Sequence, residues 1–583
     1  MSATSEKPRP APNRVAPKKR STLALVVLIA AMVVMSDIQI WAVVLKERSG
    51  QIVYDEAVSY LAATGHEGDY AAAKAGGLNG RWVRAAEWKD LMQPGSILGF
   101  RSIAKDLSEA DYHPPLYFWL LHVWVLVFGV HVSSGLWLNW LLALATGYAL
   151  FRLAREALGD ELEAAAVAAV WLVAVPVTIT NLVARHYALF GLVTTVFVWL
   201  VVRACDRKRA LRWYDYLFFA LATAAGALTH YHFALVLAGG ALFALARLAR
   251  RDPRRLLTMT AVALAGGLLA FLLNPWFYEA FRREHEGQAV KVTKALVRLR
   301  FREVRPRLSV FFGSTEEWAL TVVRPVRPAL CAAGGGALSA GVVLGLFVAL
   351  AAAALFVLPR TRRPLVRYLR GVRTQGWWIL WFLLWIGGVT IALFLAGQSP
   401  KWALNSRYMA AVWPFLAFVP LFVARLAKRW AVLLVLVFCA VFLVPENVKH
   451  MRAYLHEIPG DGAALQQADR IVFDTVTRGI LLRMVWGVPD DTQVYVDRID
   501  ELIEAPEAWR NDLSTGDAYA SYAGTKDLRE KRATIEDLIA RVYQPLPPRG
   551  GVPGVVGTAV TVLGPPTPEP RRDGPSPAPS ATP

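Results

Sequence analysis

The sequence predicts an α-helical polytopic membrane protein, and two observations support this fold class. Of the 583 residues, 55% are hydrophobic, and the mean hydropathy is +0.37, which is too apolar for a typical soluble chain. Apolar runs close to bilayer length recur along the chain, and short clusters rich in Lys and Arg separate them, as in cytoplasmic loops. Because the net charge of +19 is carried largely by those clusters, we expect no nucleic-acid partner.

The first apolar run follows a basic arm. Residues 1–20 are rich in Pro, Lys and Arg, which predicts a disordered cytoplasmic arm. Residues 23–45 would form a helix of about 34 Å, long enough to cross the bilayer and longer than the core of a cleavable signal peptide. We therefore predict an uncleaved first helix. Its Asp37 is either a functional group or an acid that faces a neighbouring helix or water.

The segment from Leu116 to Val130 decides the predicted topology. A helix of this length covers about 22 Å, which is short for a hydrocarbon core of about 30 Å. If it does not cross, five basic clusters all lie on the side of the N-terminal arm, namely Arg152/Arg155, Arg203–Arg212, Arg247–Arg255, Arg360–Arg373 and Arg425–Arg429. We therefore predict an interfacial helix in the first outer loop and about eleven transmembrane helices. They are expected near residues 23–45, 134–151, 163–181, 187–203, 214–230, 233–248, 256–275, 330–358, 376–396, 408–425 and 430–446.

This topology places most polar segments on the extracytoplasmic face. Two long loops, residues 46–133 and 276–329, lie outside together with the C-terminus, whereas the cytoplasmic connections are mostly short and basic. Chemistry is therefore expected at the outer face of a plasma or inner membrane. A multi-pass transporter would more often show two matching halves, and no internal repeat is visible, but this class stays an alternative.

The C-terminal part of the sequence is soluble in character. After a membrane domain of residues 21–446, the short apolar runs RIVFD (470–474) and TQVYV (492–496) predict strands of a small extracytoplasmic α/β domain over residues 447–563. Residues 564–583 are rich in Pro and in polar residues, which predicts a disordered tail. The cysteines, Cys205, Cys331 and Cys439, have no metal-ligand spacing and predict neither disulfides nor a zinc site.

Two adjacent acids open the first outer loop. Asp55 and Glu56 lie in the segment YDEAVSY, which has helical spacing of apolar residues. Asp55 at the start of such a helix would suit its dipole as an N-cap. Neighbouring helical positions diverge by about 100°, so at most one of the two acids can act on a given reacting centre. The sequence therefore leaves two interpretations of Asp55 open: an N-cap and a catalytic carboxylate.

A second element on the same face is DYHPPLYFW, residues 111–119. Its two prolines suit the first turn of a helix, and His113 precedes them at the predicted water boundary. Tyr117 and Trp119 suit the aromatic belt at a membrane interface. By itself this pattern indicates only the start of an interfacial helix.

The order of these elements resembles the C-type glycosyltransferases (GT-C) of the protein O-mannosyltransferase and aminoarabinose-transferase kind. The resemblance covers residues 20–446: a basic arm, a span, the acid pair, a long polar loop, HPPLY, an interfacial helix and a multi-span body. Three further segments are similar to family elements, namely ARHYALF (184–190), THYHF (229–233) and NSRYMAAVWPF (405–415).

The resemblance implies transfer of a hexosyl or pentosyl group from a polyprenyl-phosphate donor to a protein, lipid or polysaccharide acceptor on the outer face. An acceptor hydroxyl needs a base and the departing lipid phosphate needs positive charge. The catalytic candidates are therefore the acids Asp55, as general base, and Glu56. The candidates for donor or acceptor binding are His113, Arg185, Tyr187, His230, Lys401, Arg407 and Tyr408. An envelope glycan polymerase or ligase that uses lipid diphosphates is the alternative enzyme.

The sequence departs from the family pattern at two places. Val183 stands where relatives often have an acid two residues before the Arg of Arg-x-Tyr, and Leu136–Asn139 stands where many have an Arg. The sequence leaves the need for a cofactor open: Asp55, Glu56, Asp111, His113 and His230 offer ligands for a divalent cation, but no spacing demands a particular ion. The second outer loop carries many basic residues between Arg282 and Arg307, which predicts either a donor-gathering surface or an amphipathic segment on anionic membrane lipids.

Overall fold

The computed structural model describes residues 17–111, 113–206, 209–282, 410–425, 431–456, 465–522, 526–545 and 558–566. The chain forms two compact units. The helical unit comprises residues up to 46, residues 62–65 and residues 94–455, and the sheet unit comprises residues 47–61, 66–93 and 456 onward. The predicted crossings at 330–358 and 376–396 lie outside the described residues.

The helices of the described residues follow in chain order. They are α1 (Pro17–Ser49), α2 (Tyr54–Thr64), α3 (Glu67–Ala72), α4 (Ala85–Lys89), α5 (Phe100–Ala110), α6 (Leu116–Phe128), α7 (Ser134–Leu158), α8 (Glu161–Leu172), α9 (Val175–Asn181), α10 (Tyr187–Cys205), α11 (Trp213–Ala227), α12 (Phe233–Leu248), α13 (Pro253–Leu273), α14 (Trp413–Leu416), α15 (Phe418–Arg425), α16 (Ala431–Phe438), α17 (Val444–His456), α18 (Arg478–Trp486), α19 (Ile499–Glu504), α20 (Glu507–Arg510) and α21 (Lys526–Ala540).

Several helices of the helical unit have the length and composition to cross a membrane. Among the described residues these are Ser21–Arg48, Ser134–Leu158, Tyr187–Cys205, Pro253–Leu273 and Val432–Lys449. The prediction of an α-helical, multi-pass membrane protein is confirmed. On α1, Asp37 is exposed, whereas the buried Gln39 donates its side-chain amide to the carbonyl oxygen of Leu136, 2.9 Å away.

Two of the predicted crossings are each divided into two helices, and in both a helix begins with a proline in its first turn. The segment predicted at 163–181 is two helices, α8 and α9, with Pro176 in the first turn of α9. Likewise, α14 begins at Trp413 with Pro414 in its first turn, and α15 follows it. Proline has no N–H to donate, so a new helix can begin where a continuous helix would lose a hydrogen bond.

The short helix α6 agrees in length with the predicted interfacial segment. It ends at Gly129, whose φ of 79° lies in the region that favours glycine. The N–H of Leu116, its first residue, donates to the carbonyl oxygen of Leu228 at 2.9 Å, which joins the start of α6 to the end of α11. Its location at the membrane interface stays a prediction.

The sheet unit contains a six-stranded sheet in the order β1-β3-β2-β4-β6-β5. Strand β2 is parallel to β3 and β4, and the other pairs are antiparallel. The predicted strands near 470–474 and 492–496 are confirmed, and the first outer loop adds an edge strand that the sequence did not predict. The strands are β1 (Trp82–Arg84), β2 (Arg470–Phe473), β3 (Gln493–Val496), β4 (Ala518–Tyr522), β5 (Tyr543–Pro545) and β6 (Thr558–Pro566).

The core of the sheet unit lies between this sheet and its helices. Its buried side chains include Val472, Trp509, Tyr519, Ile535 and Leu563. Since parallel strands need a crossover connection, α18 joins β2 to β3, and α19 and α20 join β3 to β4. The sequence assigns the loop after α1 to the membrane domain, whereas the structure incorporates most of it, residues 47–61 and 66–93, in the sheet unit.

Candidate active site

Three helices of the helical unit begin beside one cluster of histidines. The N-cap residues are Pro115 for α6, His186 for α10 and His232 for α12. The ring of His186 lies 4.7 Å from that of His113 and 5.0 Å from that of His230, centroid to centroid. The positive ends of three helix dipoles are therefore directed toward this cluster.

Arg185 and His113 meet at one carboxylate oxygen. The Nη1 atom of Arg185 donates to Oδ2 of Asp111 at 3.2 Å, and Nδ1 of His113 lies 2.9 Å from the same oxygen. The Arg185 and Asp111 side chains are 8% and 10% exposed, while that of His113 is 30% exposed. A carboxylate therefore lies beside Arg185 although Val183 is apolar, because the acid comes from the HPPLY segment.

The contact with Asp111 also fixes the tautomer of His113. Its Nδ1 lies 2.7 Å from the carbonyl oxygen of Asp111 as well as near the carboxylate, so Nδ1 carries a proton. In the neutral ring, Nε2 is then the acceptor, and in the charged ring it is a second donor. His113 can accordingly exchange a proton or donate to an anion through Nε2.

His230 is held in its neutral form. Burial lowers the pKa of His230 well below its ordinary value, and the nearby His232 and His113 lower it further. Its Nδ1 accepts the backbone N–H of His232 at 3.1 Å, so the proton of the neutral ring lies on Nε2. The ring also stacks on Phe190, 4.8 Å away. His230 is therefore a neutral donor beside the positive ends of the helices.

Asn139 supports the loop that carries Arg185. Its Nδ2 donates to the carbonyl oxygen of Val183 at 2.7 Å, and its Oδ1 accepts the hydroxyl of Tyr117 at 3.1 Å. Both Asn139 and Tyr117 are fully buried. The sequence marked this position only as a departure from the family pattern; a buried amide in an apolar helix is the signal for such a role.

Tyr187 links this cluster to the interior of the helical unit. Its side chain is 7% exposed, and its ring lies 4.3 Å from that of His186. It lines a small cavity together with Thr146, Asn181, Trp171 and Trp413. Of the residues predicted to bind donor or acceptor, His113, Arg185, Tyr187 and His230 are therefore neighbours in one cluster.

The acid pair lies in the sheet unit. Glu56 is fully buried, and its Oε2 accepts the backbone N–H of Val53 at 2.9 Å, while the N–H of Glu56 donates to the carbonyl oxygen of Val53. The bond from the N–H of Val53 to the Glu56 carboxylate is the acidic half of a capping box, whereas the other half is missing because valine has no side-chain oxygen. The capping carboxylate of α2 is thus that of Glu56, and the side chain of Asp55 is partly exposed.

Several predicted site residues lie outside the described residues. They are Lys401, Arg407 and Tyr408, together with the basic residues from Arg283 to Arg307. Among the residues that the structure does describe, no group of three or more His, Cys, Asp or Glu side chains is arranged to hold a metal ion.

One family model matches a part of the chain. The family model described as dolichyl-phosphate-mannose-protein mannosyltransferase matches residues 112–278, which contain His113, Arg185, Tyr187 and His230. Over this segment, the match confirms the resemblance to C-type membrane glycosyltransferases that the motifs predict.

Individual solved structures are similar to the chain as well. ArnT from Cupriavidus metallidurans bound to undecaprenyl phosphate is 12% identical, with 94% of this chain and 98% of that chain covered and a TM-score of 0.44. ArnT from Cupriavidus metallidurans in the apo state is 11% identical, with 79% of this chain and 92% of that chain covered and a TM-score of 0.38. Comparison with curated proteins finds no match.

Proposed function

We propose that the protein is an integral membrane glycosyltransferase that moves a sugar from a polyprenyl-phosphate donor to an acceptor on the extracytoplasmic face of the plasma or inner membrane. One observation carries the proposal: α6, α10 and α12 all begin at the cluster of Arg185 and the histidines. Backbone N–H groups and dipoles at helix N-termini form a site for anions such as a phosphate.

The donor phosphate would be bound by Arg185 with help from neighbouring imidazoles. A guanidinium presents several donors in a fixed plane, which suits phosphate oxygens. Asp111 holds Arg185 in position, since its Oδ2 accepts from Nη1 at 3.2 Å. The Nε2 atom of His230 is a further donor, as is that of His113 when its ring is charged.

An apolar groove of the same unit suits the polyprenyl chain. The groove is lined by Trp171, Val175, Trp413, Pro420, Phe438 and Leu443. Trp171 and Trp413 also line the cavity that reaches Tyr187, which directly follows His186. Apolar surface removed from water contributes about 25 cal/mol per Å², so a long isoprenoid would gain affinity here without any polar contact.

Asp55 is the proposed general base, acting in a single displacement. The acceptor oxygen attacks the anomeric carbon, Asp55 takes the hydroxyl proton, and the bond from that carbon to the phosphate oxygen breaks. The polyprenyl phosphate leaves with the electron pair. One base without an opposed carboxylate nucleophile leads to inversion at the anomeric carbon. Glu56 is proposed as the cap that supports the base, because its carboxylate accepts the N–H of Val53.

The test is a donor panel incubated with the purified full-length protein in lipid nanodiscs. We expect one of several radiolabelled polyprenyl-phosphate sugars to lose its sugar to an acceptor from an envelope extract, and Asp55→Asn to abolish this transfer without loss of donor binding. Asp69→Asn, the same chemical change at an exposed acid of α3, is the matched control. Transfer that persists in Asp55→Asn would refute the role of the base, and transfer from lipid diphosphates alone would refute the donor class.

A further inference from the structure

The sheet unit contains a turn that lies directly against the segment of the proposed base. This turn comprises residues 474–479, from the end of β2 to the first residues of α18. The ring of Tyr54, the residue before Asp55, packs on Gly479. A Cβ atom placed on Gly479 would lie 2.6 Å from both Cδ2 and Cε2 of Tyr54. Carbon atoms prefer separations of about 3.5–4.0 Å, so no other residue fits here without displacing the ring.

The same turn also holds the chain beyond α2. The Nη1 atom of Arg478 lies 2.5 Å from Oε1 of Glu67, whose side chain is 3% exposed. The hydroxyl of Tyr70 donates to the carbonyl oxygen of Val476 at 2.8 Å. Glu67 and Tyr70 both belong to α3, which follows α2 after a short connection. The turn therefore fixes the chain both before and after the helix that begins with Tyr54 and Asp55.

The turn is itself fixed to the centre of the sheet. The buried carboxylate of Asp474 accepts the hydroxyls of Tyr519 and Ser521 at 2.8 and 2.5 Å, and the N–H of Tyr522 at 2.8 Å. All three donors belong to β4. Because strand, turn and neighbouring strand are joined at one buried carboxylate, the turn cannot shift independently of the sheet.

The start of α2 couples the position of Asp55 to that of Tyr54. The two hydrogen bonds between Val53 and Glu56 fix the backbone on both sides of Asp55. The hydroxyl of Ser59 donates to the carbonyl oxygen of Asp55 at 2.8 Å. The backbone that carries the Tyr54 ring also carries the carboxylate of Asp55, so a displacement of the ring that is not absorbed by rotation of the 43% exposed Tyr54 side chain moves both.

We infer that the C-terminal domain sets the position of the catalytic carboxylate, and that Gly479 is a positioning residue for Asp55 acting through Tyr54. The inference rests on the proposed role of Asp55 in sugar transfer. It gives the sheet unit a function in the transfer step, separate from donor binding.

The first experiment compares two glycine variants by steady-state kinetics with the full-length protein. We expect Gly479→Ala to lower kcat by about ten- to a hundredfold, because small misplacements of a catalytic group cost this much, while the KM for the donor stays unchanged. Gly68→Ala is the matched control, since an added Cβ at Gly68 meets nothing within 4 Å. Wild-type kcat in Gly479→Ala would overturn the inference, as would equal losses in both variants.

A double-mutant cycle separates positioning from a general loss of folding. Tyr54→Ala removes the ring from Gly479 without a clash and should also lower kcat with the donor KM unchanged. Adding Gly479→Ala to Tyr54→Ala should have little further effect, because the ring that transmits the clash is gone. Fully additive losses would overturn the inference. If Gly479→Ala does not fold, the kinetics of Tyr54→Ala alone test the inference. A wild-type kcat in Tyr54→Ala would then overturn the inference.

The two proposals fail in different ways. If Asp55→Asn keeps its activity, the proposed function and this inference both fall. If Asp55→Asn is inactive while Gly479→Ala and Tyr54→Ala both retain wild-type kcat, the sugar-transfer proposal stands and only the positioning role falls.

Discussion

The side-chain amide of Asn139 donates to the backbone carbonyl of Val183, 2.7 Å away. This bond runs from the first turns of α7 to the loop that precedes α10 and places Arg185 two residues beyond its acceptor. The position of a charged side chain thus depends on a neutral amide that is buried in a different helix.

Replacing Asn139 tests this support. We expect Asn139→Leu to raise the KM for the donor by about tenfold, equivalent to about 1.4 kcal/mol, because a buried carbonyl and the hydroxyl of Tyr117 each lose a partner. Tyr117→Phe, which removes only the hydroxyl that donates to Asn139, should act in the same direction but less strongly. An unchanged donor KM in Asn139→Leu, measured by initial rates, would contradict the supporting role.

The chemistry of Arg185 is tested by keeping its charge and changing its shape. We expect Arg185→Lys to weaken donor binding by at least about tenfold, since an ammonium lacks the planar set of donors. Arg203→Lys is the matched control, because Arg203 pairs with Asp215 at 2.8 Å in a similarly buried site at the other end of α10. Binding of a fluorescent polyprenyl phosphate measures the difference. Equal effects in both variants would show that the loss is structural.

The neutral form of His230 makes stability depend on pH in a defined direction. Because its pKa is lowered on folding, the unfolded state binds a proton below pH about 6.5 that the folded state does not. Stability should be fully present above that pH and fall below it by at most about 1.4 kcal/mol per pH unit. Thermal unfolding in detergent should show a weaker fall for His230→Gln, while His131→Gln, at an exposed position, should match the wild type.

Two adjacent glycines of α13 should respond differently to the same substitution. An added Cβ on Gly266 would lie 2.4 Å from the carbonyl oxygen of Ala220 in α11, whereas one on Gly267 meets nothing within 4 Å. We expect Gly266→Ala to destabilise the protein by about 1–3 kcal/mol, and Gly267→Ala to be neutral or stabilising by up to about 1 kcal/mol. Thermal unfolding of the two variants measures this, and similar melting temperatures would contradict the close packing of α11 and α13.

The sequence predicted the long helices and two central strands because hydropathy over a window is enough to identify them. The apolar runs of bilayer length in the sequence correspond to α1, α7, α10 and α13 in the structure. The breaks before Pro176 and at Pro414 were missed, since a window average passes over a single residue. β1 was missed because three residues give too short an alternation to recognise.

The sequence named candidate site residues, whose roles stay predictions, but it did not predict their contacts. Arg185, His113 and His230 were found from motif order, whereas the pairing of Arg185 with Asp111 joins residues 74 positions apart. Such long-range pairings follow from helix packing, which a single sequence does not reveal. The capping carboxylate is that of Glu56, because the cap geometry depends on where the helix begins. The roles of Lys401, Arg407 and Tyr408 stay predictions.

The edge strand β1 has a consequence for how this protein is made. The side-chain amide of Asn79, just before β1, donates a hydrogen bond to the carboxylate of Asp497, just after β3. The two residues are 418 positions apart in the chain. At a synthesis rate of roughly 5–20 residues per second, the ribosome needs about 20–80 seconds to deliver that partner. Until then residues 82–84 have no strand to pair with, and a prematurely terminated chain would leave this segment permanently unpaired.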